Sequence, residues 1–173
     1  MIEPRDSMME APDGAASLIR IGVVADTHRL LRSEVFDAFR GVQHILHAGD
    51  VGDPSILDDL SALAPVIAVW GNMDGATVRD LTGEVRGIDI GGMRIEVLHG
   101  HQLADYAALP GRFPHARVIV HGHTHLPSNR RIDGVLVLNP GSAGPRRPGK
   151  PVTVAILDIV DGEAMARHVH LVP

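Results

Sequence analysis

Short runs of branched aliphatic residues recur along the chain, each of strand length and each bounded by Gly, Pro, Asn or Asp. They cover Leu18 to Ala25, Gln43 to His47, Pro65 to Trp70, Met93 to Leu98, Arg117 to Val120, Val135 to Leu138 and Val152 to Val160. Between the early runs the apolar period is helical. Val35, Phe36 and Phe39 share one face, and Ile56, Leu57, Leu60 and Leu63 share another behind an Asp53 N-cap and a Pro54 first position. Strand, helix, strand, helix, strand predicts right-handed parallel crossovers, whereas later strands joined by short turns predict antiparallel pairing. Gly91-Gly92, between Val85 to Ile90 and Met93 to Leu98, predicts a hairpin. The pattern as a whole predicts a mixed α/β domain with two sheets packed together and helices outside.

Composition narrows this. A chain of 173 residues, 45% of them apolar, holds one sizeable core and is short for two. Residues 18–173 are expected to form that single domain, and the charged, proline-containing residues 1–17 a flexible tail on a cytoplasmic protein. The longest apolar run, Val66 to Trp70, is far below the roughly 18 residues a membrane span needs. The absence of cysteine excludes disulfides, a thiol nucleophile and cysteine-ligated metal. A net charge of −5 disfavours duplex nucleic acid as a partner, and only five aromatics leave little for base stacking. Eleven histidines stand out against that background.

Their placement points to chemistry. The successive runs end in Asp26-Thr27-His28, His47-Ala48-Gly49-Asp50, Gly71-Asn72-Met73-Asp74, His99-Gly100-His101 and His121-Gly122-His123-Thr124-His125. Each delivers a metal-ligand residue type beside or near a glycine at the carboxyl end of a strand, the edge where α/β sheets bind ligands. If these segments are extended, Asp26 and His28 share a face, as do His123 and His125. Carboxylates converging on one pocket repel unless a cation neutralises them. Oxygen and imidazole donors without thiolate suit Mn, Fe, Zn, Ni, Co or Mg. Seven candidates (Asp26, His28, Asp50, Asn72, His99, His123, His125) exceed one four-coordinate site and suit two sites sharing a carboxylate.

At these residues the sequence resembles the calcineurin-like metallophosphoesterase superfamily, whose signature is Asp-x-His, Gly-Asp, Gly-Asn-x-Asp or Glu, a lone His and Gly-His-x-His. All blocks occur in order, and the likeness is greatest to the small YfcE-like phosphodiesterase branch, which also shows the Asn139-Pro140-Gly141-Ser142 turn. The resemblance implies a four-layer α/β/β/α sandwich with two mixed β-sheets and two divalent ions, manganese foremost. One ion would take Asp26, His28, Asp50 and His125. The other would take Asp50, Asn72, His99 and His123, with Asp50 as the bridge. The implied activity is phosphodiester hydrolysis of a small phosphorylated substrate by a metal-bridging hydroxide. A phosphomonoesterase, or a non-catalytic metal-binding scaffold of the same fold, is the alternative, and homo-oligomerisation is left open.

One departure bears on mechanism. Many relatives carry a histidine as general acid where this chain has Met73, whose thioether donates no proton. His101 is the leading substitute. Asp74 is expected to orient an imidazole, Asn72 to face substrate as well as metal, and Arg146, in the basic run after the Asn-Pro-Gly-Ser turn, to contact substrate. His44, His47 and His121 are read as packed or tautomer-fixing, and His115, His168 and His170 as surface or edge residues.

Overall fold

The computed structural model describes residues 18–172; the expected tail, residues 1–17, lies outside them. Five strands, β1 (Leu18–Val24), β2 (His44–Ala48), β3 (Val66–Val69), β9 (Thr153–Val160) and β10 (Glu163–His170), form one sheet in the order β10-β9-β1-β2-β3. The other five, β4 (Val85–Ile90), β5 (Met93–Leu98), β6 (Val118–Val120), β7 (Ser128–Ile132) and β8 (Val135–Asn139), form a second in the order β4-β5-β6-β8-β7. Both sheets are mixed. β1, β2 and β3 run parallel, as the alternating early pattern predicts, while β9 and β10 pair antiparallel beside them.

Strand periodicity builds the layers. Ile21, Val23 and Ala25 point one way from β1 and meet Ile95, Val97, Val118, Val120, Leu136 and Leu138 of the second sheet in a fully apolar interface. Val24 points the other way, onto α1 (Ser33–Ala38), α2 (Ser55–Ser61) and α3 (Ala76–Leu81), where Val35, Phe39, Ile56, Leu60 and Val78 bury. Beyond the second sheet a smaller apolar cluster packs Leu109 of the short α4 (Leu109–Arg112) on Leu98, Ile119 and Val137. Helices, sheet, sheet and helix therefore make four layers, the last of them thin.

The later strands that short turns join, β4–β5 across Gly91-Gly92, β7–β8 and β9–β10, pair antiparallel as expected. β5, β6 and β8 pair in parallel, because the segment containing α4 carries the chain from β5 back to the start of β6, and β7 folds outward as an edge hairpin on β8. β7 and β10 were not expected as strands. Each is an edge with one partner, so neither needs the apolar run that marks a central strand. α3 also forms between β3 and β4, where no helical period stands out, burying Val78. No helix among the described residues is long and apolar enough to cross a membrane.

Candidate metal centre

The carboxyl ends of β1, β2 and β3 from one sheet and of β5 and β6 from the other meet at a single edge. The chain leaves them by curling. Asp26, His28, Asp50, His123 and His125 all have φ between 46° and 68°, the left-handed region that L residues seldom occupy. The extended-segment expectation is thus corrected: these side chains converge because the backbone turns sharply at each of them. Such conformations cost on the order of 1–3 kcal/mol each and persist where the surroundings over-determine them. Here the exits are stitched together. Amide hydrogens of Asp26, His28 and Arg29 donate to the carbonyls of Gly49, Asp50 and Val51 at 3.0, 2.9 and 3.0 Å. Gly49 lets the His99 ring lie against the backbone, where a Cβ would come within 2.6 Å of Nδ1.

Two donor groups result, Asp26-His28-His125 and Asp26-Asp50-His99, each with its ligand atoms within 4.8 Å of one another. Asp26 Oδ1 lies 3.9 Å from His28 Nε2 and 3.6 Å from His125 Nε2. Asp50 Oδ2 lies 3.8 Å from His28 Nε2 and 3.3 Å from His99 Nε2, between the two imidazoles. The His28 and His125 rings stack at 5.2 Å and 5°. Asn72 Oδ1 is 3.2 Å from His99 Nε2, and the His123 ring stands edge-on to His99 at 5.2 Å. All seven predicted ligands are therefore at one site, with Asp26 common to both groups and Asp50 facing both halves.

The electrostatics fit a cation. Asp26 is buried, its Oδ1 has no hydrogen-bond partner, and burial pushes its pKa up to about 7. His125 is pushed down to about 4 and His28 is lowered, in both cases chiefly by burial, so each ring is held neutral with a lone pair to give. His99 donates Nδ1–H to the Ala48 carbonyl at 2.8 Å, which leaves Nε2 facing the oxygens of Asp50 and Asn72. Burial lowers the pKa of His99, but the Asp50 hydrogen bond and the charges of Asp26 and Asp50 outweigh it and raise that pKa. Carboxylate oxygens and imidazole lone pairs gathered at one buried point are what a divalent ion satisfies, with release of any protons they hold.

The supporting residues differ from expectation. Asp74 touches no imidazole: its buried carboxylate accepts the amide hydrogens of Gly52 (2.7 Å), Gly71 (2.8 Å) and Val51 (3.2 Å), lashing the β2 exit to the β3 exit. His101 stands beside His99 at 5.5 Å and Trp70 at 5.6 Å, with its Nδ1 buried and unpartnered. Met73 is 66% exposed, and its amide donates to Asp50 Oδ1 at 2.8 Å. Arg146 and Arg147 are both exposed on their loop, and Arg147 Nη2 lies 3.3 Å from His28 Nε2. His168 is no mere edge residue, since its Nε2–H donates to the Asn139 carbonyl at 2.8 Å.

The Asn139-Pro140-Gly141-Ser142 turn is a clamp. Asn139 Nδ2 donates to the Gly122 carbonyl and Thr124 Oγ1 at 2.9 and 3.0 Å, while Ser142 Oγ donates to the Asp26 carbonyl at 3.0 Å. One turn thereby holds ligand loops of both sheets. His47, fully buried, pairs with Thr27 Oγ1 at 2.9 Å, and Thr27 in turn donates to Val51, fixing the residue between Asp26 and His28.

The model of the calcineurin-like phosphoesterase superfamily domain matches residues 19–162. The chain belongs to that superfamily. Among relatives of this calcineurin-like phosphoesterase is a probable metallophosphoesterase of Methanothermobacter thermautotrophicus, 41% identical over 84% of this chain and 88% of the relative. A protein named phosphodiesterase from Methanocaldococcus jannaschii is 28% identical over 81% of this chain and 93% of its own length. Among solved structures, Vacuolar Protein Sorting 29 of Cryptosporidium parvum superposes with a TM-score of 0.74 at 20% identity, covering 88% of this phosphoesterase and 97% of that chain. Vps29 of Entamoeba histolytica, solved with Zn²⁺, gives 0.66 at 26% identity over 88% and 99%.

Proposed function

We propose that this phosphoesterase is a dinuclear metal-dependent enzyme that cleaves phosphodiester bonds of small substrates. The observation that carries the reading is the pair of donor groups sharing Asp26, with Asp50 Oδ2 set between His28 and His99. Asp26, His28 and His125 would hold one ion and Asp50, Asn72, His99 and His123 the other, with Asp50 also facing the first. Divalent ions supply Lewis-acid stabilisation of phosphoryl charge and lower the pKa of water. Oxygen and imidazole donors without thiolate suit manganese.

The chain's own residues do the rest. Asp74 holds the loops that carry Asp50 and Asn72, so the donor atoms are aimed before substrate arrives. Asn72, exposed at the rim, and Arg146, on the basic loop, face the substrate. His101 gives a proton to the leaving oxygen, a task Met73 cannot perform. Without the histidine that relatives place at position 73, the enzyme favours substrates whose leaving groups need little protonation.

Likeness to Vps29 favours a second reading, a scaffold that keeps the fold without turnover. The intact ligand set argues for catalysis, and one experiment separates the two. Chelator-stripped protein should be inactive on bis-p-nitrophenyl phosphate and regain activity with Mn²⁺. Full activity in the stripped protein overturns the metal-dependent reading, and cation binding without hydrolysis of any diester or monoester supports the scaffold.

A further inference from the structure

The loop 144–150 between β8 and β9 carries Arg146, Arg147 and Lys150. Both its ends are tied to the ligand loops. The Gly144 amide donates to the Asp26 carbonyl at 3.2 Å, and Lys150 Nζ donates to the Thr124 carbonyl at 2.6 Å. A bridge between Arg147 and Lys150, with the Lys150 amide on the Arg147 carbonyl at 3.1 Å, makes the loop a tight hairpin. So anchored, it brings Arg147 Nη2 to 3.3 Å from His28 Nε2.

That nitrogen is the one facing Asp26 Oδ1 and Asp50 Oδ2, and hence the atom a cation would take. A neutral imidazole has one lone pair there. It can accept a guanidinium N–H or bind a cation, and the two exclude each other. The repulsion between the guanidinium and a doubly charged ion acts in the same direction. The displaced Arg147, still on an anchored hairpin at the mouth of the site, presents a planar donor fork matched to phosphoryl oxygens.

We propose that Arg147 is a specificity-determining residue with two alternative partners: His28 in the cation-free protein, and an anionic phosphoryl group once a divalent cation holds His28. Cation and phosphoryl ligand then bind in that order, the first releasing the group that recognises the second. The proposal rests on the metal-centre reading above.

Calorimetric titration of chelator-treated protein with Mn²⁺ alone, followed by inorganic phosphate on the Mn²⁺-loaded protein, tests it. Arg147→Gln should bind Mn²⁺ about three- to tenfold more tightly than wild type, through loss of a competitor and of a like charge. The same variant should bind phosphate about tenfold more weakly once loaded. Arg40→Gln, which breaks only an exposed surface pair with Asp37 just after α1, should stay within about twofold of wild type in both titrations. Arg147→Lys keeps the charge and loses the fork, so its phosphate affinity should fall between the two. Should Arg147→Gln unfold, as a circular dichroism spectrum would reveal, the lysine variant decides: phosphate affinity equal to wild type overturns the proposal. So does an Arg147→Gln titration matching wild type in either arm, or an Arg40→Gln that reproduces either change. A wild-type protein that binds no Mn²⁺ would instead remove the metal-centre reading on which the proposal stands.

Discussion

On the proposed reading, Met73 is a side chain that would set the substrate range while leaving the site intact. Its backbone amide serves Asp50 and its thioether points to solvent, so a replacement there disturbs no packing. Met73→His should therefore restore a proton donor, raising turnover of a dialkyl phosphate by about tenfold or more while hardly changing that of a nitrophenyl diester. Comparing kcat for the two substrates in both proteins checks this. Asp74 is a contrasting case, buried and committed to three amide hydrogens. Asp74→Asn keeps the shape but loses the charge and puts a donor where an acceptor stood. It should cost about 2–3 kcal/mol in urea unfolding and weaken Mn²⁺ binding without any direct contact to the ion.

At the scale of elements, Gly22 in the middle of β1 is a packing device. A Cβ there would lie 2.8 Å from the Phe39 ring, so the missing side chain is what lets α1 lay that ring flat on the sheet. Gly22→Ala should destabilise by about 1–3 kcal/mol through overpacking, and Phe39→Leu in the same chain should recover part of the loss, which a double-mutant cycle in denaturant would measure. The elements also show what a single sequence makes legible. β1, β2, β5, β6, β8 and β9 were readable because each lies between two partner strands and carries buried aliphatic residues, and β3, though an edge, through its short run Val66–Val69. The edge strands β7 and β10, with residues such as Arg130, Arg131 and Arg167 exposed, carry no such requirement and read as loop. All seven ligand candidates were legible because strand ends deliver them next to glycines. Their route into the site was not, since left-handed φ at Asp and His has no mark in composition. Nor could spacing tell that Arg147 reaches His28, because a loop residue's direction has no mark in sequence.

For the whole molecule, burial of titratable groups sets the pH response of the cation-free protein. His47 is held at about 3, and His121 and His125 at about 4, each mainly by burial, all below the ordinary 6.5. Between those values and 6.5 the unfolded chain binds protons that the fold excludes, so stability rises with pH across that window. Asp26, raised to about 7 by burial, works against this between 3.8 and 7, because there the fold holds a proton the unfolded chain has released. Three imidazoles outweigh one carboxylate. Thermal melts in chelator should show a higher Tm at pH 6.5 than at pH 4.5, and His47→Phe should flatten that rise.

The candidate ligands straddle the two sheets, with Asp26, His28, Asp50 and Asn72 on the exits of one and His99, His123 and His125 on the exits of the other. On the proposed reading, ion occupancy and sheet docking would be one equilibrium seen from two ends. An ion captured at that seam acts as a rivet, adding its binding free energy to the cohesion of the entire sandwich by mass action. The coupling also runs backwards: a cavity cut far away, at Val97 or Leu138 in the interface between the sheets, loosens the grip on the ion because it loosens the seam.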